Sequence, residues 1–311
     1  MIYIKLEENM YKFIEAKYKR IPEFLKKIIY RLEYKSNNII DKKVSNGELI
    51  ILSSVNKKVI RDLKKMKNIK CWKNICISNN LIENNEFIDF TNQNNLNIMD
   101  GKWLLKNIVD KIVEYIAESR KEPLNTYEIS ILCNKLDNTI VEKIREISQK
   151  VKKCNIITNN QKKYENIKEQ IKKETGKIFN VSNNYKKSAE KSIIVINFDF
   201  DDKQIQKCIF SPNAYIINVN KKLENNDFGR RNIISYKINL PEKYLKYQNI
   251  FENFDSNTLY ESFIYKNTSY KNIKKQLNQD DAKIVYLKDV NDKIIKKSKD
   301  NLSKKLDKIT I

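Results

Sequence analysis

The fold of this chain is indicated by residues 128–158, which read EISILCNKLDNTIVEKIREISQKVKKCNIIT. The stretch opens with a short apolar run at 128–133 and closes with a second at 154–158. Apolar residues recur between the two runs at helical spacing, namely Ile140, Val141, Ile144 and Ile147. Asp137 or Asn138 stands where a helix N-cap is expected. The pattern therefore predicts a strand, a helix and a second strand.

The same alternation continues to residue 238. An amphipathic helix is predicted over 162–176, with Gly176 as its C-terminal stop. Further strands are predicted from the short apolar runs at 177–181, 192–198, 214–219 and 232–238. Strands that alternate with helices at these intervals build a parallel sheet. We expect an α/β protein of two domains, the second a Rossmann-like doubly wound parallel sheet of strand order 3-2-1-4-5-6. In that order, the runs at 128–133 and 192–198 are neighbours.

The first hundred residues predict a second, smaller α/β domain. Its elements are a helix over 21–34, a strand over 47–54, a helix over 55–67, a strand over 74–78 and a short strand over 86–90. A long amphipathic helix over 102–121 follows, and Pro123 ends it. We expect helices around 258–265 and 271–277 and a strand over 283–288 near the C-terminus. The predicted organisation is a small domain at 1–100, a connecting helix at 101–122, a Rossmann-like domain at 123–240, and a C-terminal segment with a lysine-rich tail at 241–311.

Composition restricts the chemistry that this chain can perform. It has 311 residues but no histidine, which excludes Ser-His-Asp and Cys-His catalysis and histidine metal sites. Its four glycines provide no glycine-rich phosphate loop. The five cysteines form no CxxC pair, so we expect no metal site and free thiols in a reducing compartment. No run approaches the roughly 18 apolar residues of a membrane span, and we expect a cytoplasmic protein with no membrane partner.

The net charge of +22 comes from 61 Lys and Arg against 39 Asp and Glu. Nucleic-acid binding is one function that such a charge supports. The charge is spread along the chain, however, and only seven of the 61 cations are arginines, the residue preferred for bidentate recognition of bases and phosphates. Abundant Lys, Asn, Ile and Tyr are also typical of an AT-rich genome. We therefore expect no nucleic-acid partner, and keep nonspecific nucleic-acid binding as an alternative.

The order of a small α/β domain, Asp100-Gly101, a long helix and a strand-turn-helix resembles the shikimate dehydrogenase and glutamyl-tRNA reductase group of two-domain NAD(P) enzymes. In shikimate dehydrogenases, an Asn-Thr-Asp-Gly motif precedes that helix and its Asp contacts substrate. Here residues 97–101 read Asn-Ile-Met-Asp-Gly, so the resemblance makes Asp100 the candidate catalytic residue. The chain is also similar to a clostridial-type family whose NAD(P)-binding Rossmann-like domain is degenerate, a resemblance that implies no activity.

The sequence departs from this group at the loop that holds the dinucleotide. GxGxxG is needed there because the pyrophosphate approaches bare backbone at the helix N-terminus. Residues 133–138 instead read Cys-Asn-Lys-Leu-Asp-Asn, which disfavours ordinary dinucleotide binding. Neither the lysine loop of shikimate dehydrogenases nor the cysteine loop of the tRNA reductases is present. We therefore favour a non-catalytic Rossmann-like protein that binds a small anionic ligand or a protein partner without a cofactor. The alternative is an NAD(P)-dependent dehydrogenase.

The ligand-binding candidates follow the predicted strands, where open α/β sheets bind ligands. They are Asn134, Lys135, Thr158, Asn159, Lys162 and Asn197. The group's NADP-reading Asn-Arg corresponds to the region of Thr158 and Asn159, and its cofactor-facing Asn corresponds to Asn197. Each candidate also has a structural interpretation, as a helix N-cap for Asp100 and as strand-to-helix turns for the others.

Overall fold

The computed structural model describes residues 2–6, 22, 25, 39–44, 47–52, 54–66, 69–219, 231–246, 250–251, 253–265, 270–291 and 293–297. The strands within these ranges are β1 (Ile2–Leu6), β2 (Ile39–Val44), β3 (Gly47–Leu52), β4 (Asn74–Ile77), β5 (Asn97–Ile98), β6 (Glu128–Leu132), β7 (Lys153–Ile157), β8 (Asn180–Ser182), β9 (Ile194–Asn197), β10 (Tyr215–Asn218), β11 (Arg231–Ile238), β12 (Ile284–Asp289) and β13 (Ile294–Ile295). The helices are α1 (Lys57–Lys64), α2 (Asn79–Ile82), α3 (Asn85–Gln93), α4 (Lys102–Arg120), α5 (Asn138–Lys150), α6 (Gln161–Thr175), α7 (Tyr185–Ala189), α8 (Asp202–Ile205), α9 (Glu242–Leu245), α10 (Ser256–Ile264) and α11 (Tyr270–Asp280).

The chain divides into two compact units. Unit 1 comprises Met1–Leu104, Leu240–Thr268 and Gln276–Ala282. Unit 2 comprises Leu105–Asn239, Ser269–Lys275 and Lys283–Ile311. Helices α4 and α11 therefore contribute residues to both units.

The sheet of unit 2 has eight strands in the order β13-β12-β11-β10-β9-β6-β7-β8. Strands β6 to β11 pair in parallel, and their order confirms the 3-2-1-4-5-6 expectation. Strands β6 and β9 are parallel neighbours, with Ile129 opposite Ile194 and Leu132 opposite Asn197. Strands β12 and β13 extend the sheet in antiparallel pairing. The predicted α/β class with a Rossmann-like second sheet is confirmed.

The stretch 128–158 forms the predicted strand, helix and strand. Four of the five β6 residues are buried, as expected of a parallel strand covered on both faces. Asp137 is the N-cap of α5, because its carboxylate accepts the backbone N–H of Ile140 at 2.9 Å. Gly176 ends α6 in the left-handed region, at φ +70°, which confirms the predicted stop. The strand predicted over 177–181 is shorter than expected and starts later, at Asn180.

Unit 1 contains a five-stranded sheet in the order β2-β3-β1-β4-β5. Strands β3, β1, β4 and β5 are parallel and β2 is antiparallel to β3. Its core packs around Ile4, Ile50, Trp72 and Phe87. The sequence pattern does not predict strands β1 and β2.

The strand predicted over 86–90 is wrong, because these residues lie in helix α3. Asn84 caps the helix by accepting the backbone N–H of Phe87 at 2.9 Å. Phe87, Phe90 and Thr91 are buried at the i, i+3, i+4 spacing of a helix face. The sequence Glu-Phe-Ile-Asp-Phe alternates too briefly to distinguish that face from a strand.

Two predicted segments fall largely or wholly outside the described residues. These are the helix over 21–34, of which only residues 22 and 25 are described, and the lysine-rich tail beyond residue 297. None of the helices in the described ranges combines the length and the hydrophobicity that a membrane span requires.

Candidate functional site

The six ligand-binding candidates of unit 2 lie where the parallel strands of its sheet end, and we call this end of the sheet the carboxyl edge. Asn134 and Lys135 follow β6, Thr158 and Asn159 follow β7, and Asn197 is the last residue of β9. The carboxyl ends of parallel strands meet at the same edge. Lys162, the sixth candidate, lies in the first turn of α6 at that edge.

The loop between β6 and α5 is bound by a carboxylate of the same chain. The backbone N–H of Asn134 donates to Asp199 Oδ1 at 2.7 Å, and the backbone N–H of Lys135 donates to Asp199 Oδ2 at 2.6 Å. Dinucleotide enzymes of this fold use backbone N–H groups of the same loop to hold the pyrophosphate. The carboxylate of Asp199 therefore takes the part that a phosphate takes in such enzymes.

A second carboxylate covers the start of α5. Besides capping the helix, the Asp137 side chain pairs with the ammonium group of Lys106 on α4. An anion arriving at this helix end would meet Asp137 and Asp199 together. The two carboxylates repel an incoming phosphate and occupy donors that it would need.

Hydrogen bonds tie the loops at the carboxyl edge to one another. Asn134 Oδ1 accepts the backbone N–H of Asn159 at 2.8 Å, which joins the β6 and β7 loops. The hydroxyl of Tyr185, on α7, donates to Asn159 Oδ1. The Asp199 carboxylate accepts two further hydrogen bonds from the β6 loop. Together these hydrogen bonds connect the carboxyl ends of β9, β6, β7 and β8. The backbone N–H groups of these loops and the Oδ1 atoms of Asn134 and Asn159 are therefore engaged within the protein.

The buried hydroxyl of Thr158 has a local partner as well. Thr158 Oγ1 accepts the backbone N–H of Asn160 at 3.0 Å, which forms the turn into α6. The Asn160 side chain makes no capping hydrogen bond to this helix. Lys162 and Lys163 lie in the first turn of α6, and this turn contains no acidic residue.

Asn197 is 2% exposed and its side chain holds the turn after β9. Its Nδ2 donates to the Phe200 carbonyl at 3.1 Å and to Asn218 Oδ1 at 3.0 Å. Its Oδ1 accepts the backbone N–H of Phe200 at 2.8 Å. Both amide donors and the acceptor oxygen thus have partners in the chain.

Lys135 and Lys162, the two basic candidates, have exposed side chains. Lys163 at the start of α6, together with Lys186 and Lys187 on α7, adds further exposed cations at the same edge. Sequence reasoning did not single out Tyr185 and the α7 lysines. Their position directly after β8 is the signal that could have found them.

Cys133 and Tyr164 are buried beside the loop between β6 and α5. Burial raises the pKa of the Cys133 thiol, so it remains protonated at neutral pH. Burial likewise raises the pKa of Tyr164, whose hydroxyl donates to the Lys135 carbonyl at 3.0 Å. Both groups support the loop.

Asp100, the candidate catalytic residue, belongs to unit 1. Its Oδ1 accepts the backbone N–H of Lys102 at 3.0 Å and its Oδ2 lies 2.5 Å from the Lys102 ammonium. A second carboxylate, that of buried Glu261, accepts the backbone N–H of Leu104 at 2.8 Å. Burial raises the pKa of Glu261 to about 7. Asp100 and Glu261 both satisfy the first turn of α4, which is the capping role.

The described residues contain no group of three or more Cys, Asp or Glu side chains arranged to hold a metal ion. Four of the five cysteines are buried and all five are free thiols.

Comparisons with known proteins give no family. A scan against protein-family models and a search of curated proteins each found no match. L-tryptophan dehydrogenase from Nostoc punctiforme is similar over 90% of this chain and 87% of its own, at 11% identity and a TM-score of 0.32. Ornithine transcarbamoylase from Giardia lamblia is similar over 86% of each chain, at 9% identity and a TM-score of 0.31. The fold class follows from the strand order of the two sheets.

Proposed function

We propose that this chain is a non-catalytic binding protein whose Rossmann-like unit does not take a dinucleotide. The observation that carries the proposal is the Asp199 carboxylate on the backbone N–H groups of Asn134 and Lys135. A dinucleotide bound in the ordinary way would have to displace this carboxylate and then lie beside it. Both steps oppose binding, because the freed carboxylate repels the pyrophosphate.

The state of the other candidates supports the same proposal. The Asn197 amide and the backbone N–H and Oδ1 of Asn159 already have partners, and Asp100 is engaged with the start of α4. Burial of the Cys133 thiol raises its pKa, which disfavours a reactive thiolate. Beside the Asp137 and Asp199 carboxylates, exposed Lys162 and Lys163 add positive charge at the start of α6, which supports an anionic ligand or partner at that helix.

A fluorescence titration tests the proposal. NADPH and NADH are added to the full chain up to about 1 mM, and nicotinamide emission is followed with a dinucleotide-binding dehydrogenase as positive control. We expect no saturable change with either nucleotide. A micromolar dissociation constant for either one would overturn the proposal in favour of the dehydrogenase alternative.

A further inference from the structure

The first turn of α4 is capped twice, by carboxylates from two parts of unit 1. Asp100, two residues before Lys102, accepts the backbone N–H of Lys102 at 3.0 Å. Glu261, on α10 and 157 positions from Leu104 in the chain, accepts the backbone N–H of Leu104 at 2.8 Å. Asp is a favoured N-cap, so the helix has a local start that does not depend on Glu261.

The Glu261 carboxyl lies in a site that solvates a charge poorly. The residue is 3% exposed, and among the described residues the Leu104 N–H is the one hydrogen-bond donor to its carboxyl oxygens. The cation that faces it, Lys102, is itself exposed and paired with Asp100. A buried carboxylate with a single donor lacks most of the hydrogen bonds that water gives it, so the site favours the neutral acid.

Charged and titratable groups face Glu261 from three elements. At the start of α4, the charge of Asp100 opposes ionisation of Glu261 and that of Lys102 favours it. On β4, the thiol of Cys76 lies within electrostatic reach of Glu261 and of Asp255, the cap of α10. Burial raises the pKa of Cys76 to about 12, so this thiol stays neutral below pH 9. Burial raises the pKa of Glu261 itself to about 7, and its carboxyl therefore changes charge near neutral pH.

We propose that Glu261 is a pH-sensitive switch that controls the first turn of α4. The protonated carboxyl keeps its carbonyl oxygen on the Leu104 N–H and holds the turn against α10. When the proton passes to solvent, the carboxylate is better solvated by water than by this site, and the turn opens to a state capped by Asp100 alone. Helix α10 stays in place, because Leu259 and Phe263 are buried in unit 1.

Trp103 lies inside this turn and reports on it. Its ring contacts that of Tyr265 edge-on, with centroids 5.1 Å apart. Tyr265 lies one helical turn after Glu261, and its backbone N–H donates to the Glu261 carbonyl at 2.7 Å. Opening of the turn therefore changes the surroundings of Trp103. The chain has one other tryptophan, Trp72, which packs in the apolar core of unit 1 and provides an internal control.

Fluorine NMR of the full chain labelled with fluorotryptophan tests the switch between about pH 5.5 and 8.5. We expect the Trp103 resonance to shift with a midpoint near pH 7 and the Trp72 resonance to stay constant. Glu261→Gln should abolish the titration, because the amide cannot ionise. Glu242→Gln, at an exposed position in unit 1, is the matched control and should keep it.

Amide hydrogen exchange at Leu104 measures the opening itself. After correction for the intrinsic exchange rate, the opening constant should rise about tenfold from pH 6 to pH 8, and less than twofold in Glu261→Gln. Two further variants move the midpoint in opposite directions. Asp100→Asn keeps a cap but removes a facing negative charge, so the midpoint should fall, whereas Lys102→Gln should raise it.

A Trp103 resonance that stays constant with pH would overturn the proposal, as would a titration that persists in Glu261→Gln. Equal Leu104 exchange at pH 6 and pH 8 would show that ionisation does not open the turn. A Trp72 resonance that titrates together with Trp103 would indicate a change throughout unit 1 and would contradict a local switch. If Glu261→Gln does not fold, the opposite midpoint shifts of the other two variants decide, and their absence would overturn the proposal.

Discussion

The Asp199 carboxylate accepts the backbone N–H of Lys135 at 2.6 Å, in the loop that holds phosphate in dinucleotide enzymes of this fold. The contact joins the loop after β9 to the loop after β6. It also removes the need for glycine at this position, because the loop closes on an internal side chain.

The first prediction concerns the stability that Asp199 provides. Asp199→Ala leaves two backbone N–H groups without their charged acceptor, and we expect it to lower the free energy of unfolding by about 2 kcal/mol. Asp199→Asn keeps one oxygen and should lose less. Urea denaturation measures both, with Asp89→Ala on an exposed face of α3 as the control. A loss for Asp199→Ala no larger than that of the control would contradict the role given to this carboxylate.

A second prediction concerns the bond between the β6 and β7 loops. Asn134→Ala removes the acceptor of the Asn159 N–H and should cost about 1 kcal/mol of stability. Amide hydrogen exchange at Asn159 should become faster in this variant. Asn160→Ala is the matched control, because the Asn160 side chain makes no capping bond to α6. Unchanged exchange at Asn159 would show that the Asn134 side chain does not hold the loop.

The third prediction separates a structural Asn197 from a ligand-binding one. Asn197→Ala removes a buried amide with three hydrogen bonds, and we expect a loss of about 2 to 3 kcal/mol. The exposed Asn213 provides the control as Asn213→Ala. Thermal unfolding distinguishes the two variants. If Asn197→Ala melted as the unmodified protein does, the turn after β9 would not depend on this side chain.

The sequence predicted the sheet of unit 2 better than it predicted the site. Strand order and the Asp137 cap follow from periodicity and local capping chemistry, which act over a few residues. The bonds from Asn134 and Lys135 to Asp199 span 65 and 64 positions, so no local pattern reports them. The strand predicted over 86–90 fails for a related reason, because burial of Phe87 and Phe90 on one face decides between helix and strand.

The fourth prediction is a pH dependence of stability that arises from Glu261. Its carboxyl is 3% exposed, is faced by Asp100 and Lys102, and has a pKa raised to about 7 by burial. Between pH 4.5 and 7 the folded protein holds a proton that the unfolded chain has released. The stabilisation that this proton provides is therefore complete below pH 4.5 and is lost as the pH rises to 7. The corresponding change in the free energy of unfolding is about 3 kcal/mol.

Glu261→Gln should remove that slope while keeping an oxygen for the Leu104 N–H. Urea denaturation at pH 5, 6, 7 and 8 measures it, with the exposed Glu242→Gln as control. At pH 8 the Glu261→Gln variant should be the more stable protein. Parallel stability profiles for the variant and the unmodified chain would contradict the burial argument.

The most direct measurement of the central claim is nuclear magnetic resonance of the Asn134 and Lys135 amides. The ¹⁵N-labelled chain is titrated with NADPH and, separately, with inorganic pyrophosphate, each to about 1 mM. Because Asp199 already accepts both N–H groups, we predict that neither amide resonance of the unmodified chain shifts when either ligand is added. In the Asp199→Asn variant, both resonances should shift on the same titration. A saturable shift of these two amides in the unmodified chain would contradict the account, since it would show that the loop still binds phosphate.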